Sequence, residues 1–434
     1  MATGTSLSHV FPLGSRLNER GRLEVGGCDT VELAREFGTP AYVVAEEDLR
    51  ERARAFLQAG EGSEDCDFHV VFASKAFPCT AVLALFAREG LWCDVASGGE
   101  LYLALSAGFA PERIVMHGNA KSEAELRMAL EHRVGLIVID NFDEIEHLQR
   151  LLGEDGVPGQ RFGRDREAQR VLIRVTPDVR GETHEKISTG QADSKFGFSM
   201  ADAPAAIARI EGIGGLAPKG LHAHIGSQLL ELEPFSREVA ELAKLGEFPV
   251  WDLGGGLGVA YTEAQPRPPA IEDYVGSLLR AAREHGMGVP GKRLLIEPGR
   301  ALVANAGVTL YTVESVKHNV STWVAVDGGM SDNLRPMLYG APYEAHVVDR
   351  FGGATPCVLA GKHCESGDVI VRHALLDDPR PGDVIVTPVT GAYGYAMASN
   401  YNGVLRPPVI FCRDGDARVV VRRETFEDLI ARDA

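Results

Sequence analysis

The sequence predicts a (β/α)8 barrel followed by an all-β domain, an α/β-plus-β architecture, on three observations. Short apolar or β-branched runs alternate with longer helical patterns from residue 68 to residue 297. About eight such runs occur, the number that closes a parallel barrel. After residue 305 the rhythm changes to short runs separated by turn signals, which reads as a second domain.

The elements follow in order. Residues 1–40 form an N-terminal segment expected to pack on the β-domain, and the barrel is expected over 41–305. Strand and helix patterns pair at 68–73 with 81–89, 90–96 with 99–107, 113–117 with 124–131, and 135–139 with 143–152. Strands at 171–176, 220–225, 249–254 and 293–297 complete the set. The stretch 153–169, rich in Gly, Arg, Asp and Glu, reads as a solvated excursion with no assigned function. The β-domain, 306–434, carries runs at 307–316, 323–327, 345–349, 368–372, 383–388 and 409–413.

Bulk properties exclude several functions. With 434 residues, 45% hydrophobic and 24% charged, the chain has the composition of a folded globular protein. A formal net charge of -17 without any basic block argues against nucleic acid or an anionic membrane as partner. The first residues lack the basic and apolar regions of a signal peptide, and no run approaches the ~18 apolar residues of a membrane span, so a soluble, unexported protein is expected. Seven cysteines, at 28, 66, 79, 93, 357, 364 and 412, include no C-x-x-C pair. They offer neither a disulfide framework nor a zinc knuckle, and fit a reducing cytoplasm.

Working groups of such barrels gather at the C-terminal ends of the strands, and the polar motifs fall there. Lys75, in Ser74-Lys75-Ala76, follows a buried run; partly desolvated, its amine can lose a proton and form an imine with an aldehyde. Gly254, Gly255 and Gly256 let backbone N–H groups, and the N-terminus of a helix expected next, approach a phosphate. Ser227 adds a donor on the phosphate side. The dinucleotide fingerprint G-x-G-x-x-G fails, because Val259 stands five positions after Gly254.

Glu297 supplies a carboxylate suited to a pyridine nitrogen, keeping it protonated so that the ring accepts electrons. His222 and His224 share a strand face, but no third ligand lies near in sequence and no metal site is assigned. The guanidinium forks of Arg300 and Arg335 suit a substrate carboxylate. Amine, phosphate cradle, pyridine partner and clamp together point to pyridoxal 5'-phosphate as cofactor and a small amino acid as substrate.

Longer motifs carry a resemblance over most of the chain. Phe72-Ala-Ser-Lys75-Ala, Cys93-Asp-Val-Ala-Ser-Gly-Gly-Glu100, Thr189-Gly-x3-Ser194-Lys-Phe-Gly-Phe198 and His222-Ala-His-Ile-Gly-Ser-Gln228 occupy the barrel half. Asp252-Leu-Gly-Gly-Gly-Leu-Gly258, Glu297-Pro-Gly-Arg300, Asp327-Gly-Gly-Met-Ser-Asp-Asn333, Arg335-Pro336, Cys364-Glu-Ser-Gly-Asp368 and Gly391-Ala-Tyr393 follow. The set resembles the diaminopimelate decarboxylase family.

The resemblance implies an alanine racemase-like barrel with a β-domain (pyridoxal-phosphate fold type III) and head-to-tail homodimers whose active sites draw on both subunits. It implies decarboxylation of meso-2,6-diaminopimelate, at its D-centre, to L-lysine and carbon dioxide, the last step of lysine biosynthesis. The implied catalytic residues are Lys75, Glu297, His224, stacked on the cofactor ring, and Cys364, which protonates the α-carbon from the partner subunit. Cofactor contacts add Ser227, Gly254, Gly255, Gly256, Pro298, Gly299, Arg300 and Tyr393. Substrate contacts are Arg300, Arg335, Tyr339, Tyr393 and Glu365, the last at the remote ammonium.

The other six cysteines read as buried inert thiols. Alternatives are a decarboxylase of ornithine, lysine or carboxynorspermidine, a racemase, which would place an arginine where Glu297 stands, and a non-catalytic cofactor-binding regulator, which would lack Lys75 or Cys364. One departure is local: Val404-Leu405 replaces an expected Arg-Pro pair.

Overall fold

The computed structural model describes residues 7–61, 66–153, 168–179 and 194–434. Most of the excursion expected at 153–169, and Thr189 with Gly190 of the third motif, lie outside these residues. The chain divides into two compact units, one of residues 1–51, 259–267 and 300–434, the other of 52–258 and 268–299. Among the described residues no helix is long and apolar enough to cross a membrane.

In the first unit, β1 (Arg16–Leu17), β2 (Leu23–Val25) and β3 (Cys28–Asp29) make a small antiparallel sheet. The turn between β2 and β3 is Gly26-Gly27, with φ of 57° and 80°. Two left-handed positions in a two-residue hairpin form a type I′ turn, which glycine adopts without strain. β4 (Ala41–Ala45) is buried along its length and belongs to this unit, although the sequence reading begins the barrel at residue 41. The run Ala-Tyr-Val-Val-Ala fits any central strand, and only its partners decide which sheet takes it.

The second unit is a closed barrel. β5 (Asp67–Ala73), β6 (Trp92–Val95), β7 (Ile114–Met116), β8 (Leu136–Ile139) and β9 (Gln169–Thr176) pair in sequence. The short β10 (Phe198–Ser199) pairs with β9 outside the ring. The ring continues through β11 (Leu216–His222), β12 (Val250–Asp252) and β13 (Arg293–Ile296), and β13 returns to β5. Every pairing is parallel, and all eight ring strands lie at the places read from the sequence. Val71, Trp92, Val115, Leu136, Val138, Leu172, Val250 and Leu295 form one buried cluster. Strands buried on both faces need apolar residues throughout, which is why they appear as continuous runs rather than alternations.

The helices are set by local signals. Ser122 and Glu125 cap the helix Glu123–His132 reciprocally, and Gly90, at φ 94°, ends the helix Thr80–Glu89.

The first unit resumes with β14 (Gly307–His318), β15 (Thr322–Val326), β16 (His346–Val347), β17 (Thr355–Ala360), β18 (Val369–Leu376), β19 (Val384–Thr387), β20 (Val409–Arg413) and β21 (Asp416–Val421). The sheet order is β18-β17-β15-β14-β4-β20-β21, with β19 bridging β14 and β16. Leu23 N donates to Val348 O at 2.8 Å, tying the N-terminal sheet to this unit.

Candidate active site

The barrel gathers a polar cluster at the C-terminal ends of its strands. Lys75 lies just past β5 on a short 3-10 turn, Ser74–Ala76, with Nζ 3.5 Å from Asp94 Oδ2 at the end of β6. Its side chain is 48% exposed, so the desolvation expected of its strand-end place is slight. His117, one residue past β7, sets Nε2 2.6 Å from Glu297 Oε1 and 3.9 Å from Asp94 Oδ1. His222 Nε2 approaches Glu297 Oε2 at 3.3 Å, and the two imidazoles meet edge to face at 4.7 Å.

Charge in this cluster is set by burial and by near neighbours. Burial pushes the His222 pKa down to about 3, so His222 meets Glu297 as a neutral N–H donor. Burial would raise Glu297, but His117 and His222 outweigh it and hold the carboxylate well below its ordinary range. Burial, and then the Glu297 charge, push Asp252 well up. Of the two carboxylates, Glu297 is thus the one whose charged form is favoured. His224 is pushed well down, by desolvation first and then by the positive charges of Lys75 and Arg174.

The glycine motif differs from its sequence reading. Gly254 N donates to Asp252 Oδ1 at 3.0 Å and Gly255 N to His224 Nδ1 at 3.2 Å. A Cβ at Gly254 would stand 2.4 Å from Ala223 O, at Gly255 2.1 Å from Glu297 O, and at Gly256 2.5 Å from Gly226 O. The glycines are thus demanded by close approach of three strand ends. The helix expected directly after them begins only at Ile271, because the intervening stretch includes 259–267 of the other unit. Pro298 O accepts from Ala73 N at 3.3 Å, and Gly299 has only 3.0 Å between its Cβ position and Ala73 Cβ. Ser227 is half-buried beyond β11.

The first unit holds a second cluster. Arg300 and Arg335 are buried among tyrosines: Arg300 donates to Tyr261 Oη and lies 5.0 Å above the Tyr393 ring. Arg335 donates to Tyr343 Oη at 2.9 Å and stands 4.6 Å over Tyr261 and 5.9 Å over Tyr339. Among the described residues no carboxylate pairs with Arg335, so a buried cation is left with aromatic neighbours alone. Tyr393 takes φ 63°, a conformation a non-glycine residue keeps only where its surroundings impose it. Gly391 before it is obligatory, its Cβ position being 1.9 Å from Val303 O.

Cys364 and Glu365 lie exposed on a turn of the same unit. Asp368 shapes that turn by accepting from Met330 N at 2.7 Å and His363 N at 2.9 Å. Asn402 Oδ1 accepts from Cys364 N at 2.9 Å, so the residue two before the Val404-Leu405 departure is hydrogen-bonded to the Cys364 turn. Of the six cysteines read as buried, Cys66 is half-exposed.

Sequence reasoning missed His117, Asp94, Asp252 and Arg174, whose separation along the chain hides that the barrel brings them together. His117, His222, Asp252 and Glu297 could surround an ion, their ligand atoms lying within 4.8 Å of one another. The third ligand sought near His222 in sequence lies instead on other strands. The donor set nonetheless fits pyridoxal phosphate: an accessible amine, a buried anion whose Oε1, beside His117, is in no aligned hydrogen bond among the described residues, and a neutral imidazole.

Residues 46–304 match the family described as pyridoxal-dependent decarboxylase, pyridoxal binding domain. The chain is 47% identical to a diaminopimelate decarboxylase of Actinosynnema pretiosum subsp. auranticum, over 98% of this chain and 95% of that one. It is 45% identical to the diaminopimelate decarboxylase of Bacillus subtilis (strain 168), over 96% and 97%. The fold superposes on diaminopimelate decarboxylase from M. jannaschii in complex with L-lysine with a TM-score of 0.89, at 33% identity, covering 97% of each chain.

Proposed function

We infer the function from what the chain is: it belongs to the diaminopimelate decarboxylases, within the pyridoxal-dependent decarboxylase family, and converts meso-2,6-diaminopimelate to L-lysine and carbon dioxide. It is a carboxy-lyase of lysine biosynthesis with pyridoxal phosphate as cofactor. The observation that carries the reaction class is Glu297, an anion buried at a barrel strand end and held ionised by two histidines. The chemistry the cofactor supplies is an electron sink for the pair released from the bond to the departing carboxylate.

The chain's own residues divide the remaining work. Lys75 Nζ is the amine that would hold the cofactor. Glu297 would keep the ring nitrogen protonated, and His224, kept neutral, would stack on the ring without adding a charge. Ser227 and the backbone of Gly256 would hold the phosphate, while Gly254 and Gly255 shape that loop through their bonds to Asp252 and His224 and pack against the Glu297-Pro298-Gly299 segment. Arg300 and Arg335 bind the substrate carboxylate remote from the reaction, a role supported by the lack, among the described residues, of a carboxylate paired with buried Arg335. Tyr339 and Tyr393 line that cation pair. Glu365 takes the remote ammonium, and Cys364 Sγ delivers the proton to the α-carbon.

The active form is a head-to-tail homodimer in which Cys364 and Glu365 serve the partner's site, a reading supported by their exposure on this chain. The enzyme works in the cytoplasm, where a biosynthetic reaction and unpaired cysteines fit.

Substrate choice is tested by comparing kcat/KM for meso-diaminopimelate, ornithine, lysine and carboxynorspermidine. Diaminopimelate should lead by ~100-fold or more, and Arg335→Ala should raise its KM by ~10- to 100-fold, the loss expected for a buried charge-assisted pair. Equal turnover of ornithine by the wild type would refute the assignment.

A further inference from the structure

Two buried guanidiniums share one setting of tyrosines in the first unit. Tyr261 and Tyr343 are both buried, and their rings meet edge to face at 5.1 Å. Each hydroxyl accepts from a different arginine, Tyr261 Oη from Arg300 Nη1 and Tyr343 Oη from Arg335 Nη1, the latter at 2.9 Å. The Tyr261 ring also faces both cations, 4.6 Å from the Arg335 guanidinium and 5.8 Å from that of Arg300. The four side chains thus close a circuit in which Tyr261 holds Arg300 by its hydroxyl and Arg335 by its face.

The two tyrosines come from separate stretches of chain that are bonded to each other. Glu344, next to Tyr343, accepts from Glu263 N at 2.8 Å, and Gln265 Oε1 accepts from Tyr261 N at 2.7 Å. Two like charges brought together repel, and an aromatic face offsets that by attracting each of them. A ring face alone leaves a guanidinium free to turn in its plane, whereas a hydroxyl bonded to one nitrogen fixes the direction of the fork. Carboxylate binding depends on that direction, because the two N–H bonds must be parallel. Among the described residues the Arg335 side chain donates to Tyr343 alone, through Nη1, which leaves Nε and Nη2, one edge of the fork, for a ligand.

We propose, on the reading that Arg300 and Arg335 bind the substrate's remote carboxylate, that Tyr261 and Tyr343 are positioning residues which aim the two guanidiniums as one receptor for it. The tyrosines touch neither the cofactor nor the reacting atoms in this role. They set how strongly the enzyme prefers a diamine chain that bears a remote carboxylate over the same chain without one.

The test is competitive inhibition of the full-length, cofactor-loaded enzyme by L-lysine and by 1,5-diaminopentane, which share a five-carbon diamine chain and differ by the carboxylate. Tyr343→Phe and Tyr261→Phe should each raise the inhibition constant of lysine ~5- to 20-fold and leave that of diaminopentane within ~2-fold. KM for meso-diaminopimelate should rise by the same factor as the lysine constant, with a smaller fall in kcat. General loosening of the site would weaken both inhibitors alike, and that result, or an unchanged lysine constant, would overturn the proposal. If Tyr343→Phe fails to fold, Tyr261→Phe decides. Arg335→Ala, measured beside them, separates the two levels of the reading. Selective loss of lysine in Arg335→Ala but in neither tyrosine variant overturns the proposal and leaves the arginine clamp standing; an unchanged lysine constant in Arg335→Ala as well removes the clamp with it.

Discussion

A carboxylate buried between two histidines has its charge set by those neighbours rather than by bulk pH. The folded pKa of Glu297 lies well below its ordinary 4.5, so the anion is fully present above that value and is lost only as pH falls through the lowered one. Wild-type activity should therefore show no acid limb from this group between about pH 5 and 7. Glu297→Gln keeps the shape and removes the charge. It should lower kcat by ~100-fold or more while absorbance still reports cofactor held by Lys75, whereas a loss of only a few-fold would deny Glu297 its role. At this scale the sequence was informative where chemistry is compressed into one motif, as in Glu297-Pro298-Gly299-Arg300. It was silent on His117 and on Tyr261 and Tyr343, two of the tyrosines around Arg335, because these carry no local pattern and gain meaning only as neighbours of a buried guanidinium.

Glycines show how elements constrain one another. Gly220 on β11 has Val250 O only 1.7 Å from its Cβ position, at the point where the register with β9 shifts. Gly276, inside the helix Ile271–Glu284, meets nothing within 4 Å. Gly220→Ala should destabilise by about 2 kcal/mol or more, since rigid backbone must move. Gly276→Ala should stabilise by up to ~1 kcal/mol through helix propensity. Denaturant midpoints of the two variants check this, and shifts of the same sign would contradict it. The eight ring strands were legible because buried parallel strands read as continuous apolar runs bounded by helices. β4, β17 and β21 were not, because short strands in a mixed sheet are fixed by distant partners; β4, for example, pairs with β14 and β20. The glycine loop was legible as a motif but not in its cause, which is backbone crowding by Ala223, Gly226 and Glu297.

For the whole molecule, the proposed homodimer makes a prediction that a self-sufficient chain does not. Lys75→Ala and Cys364→Ala should each be nearly inactive. If sites are shared, random reassembly of the two should recover about a quarter of wild-type activity, since about half the dimers are mixed and each holds one intact site. No recovery, with dimers shown to exchange, would place Cys364 outside the partner's site. The central claim is the reaction itself, and the most direct measurement is incubation of the purified, cofactor-loaded protein with meso-diaminopimelate, following lysine and carbon dioxide together. The account predicts one of each per substrate consumed, and none from Lys75→Ala. Cofactor bound at Lys75 with no lysine formed would contradict it.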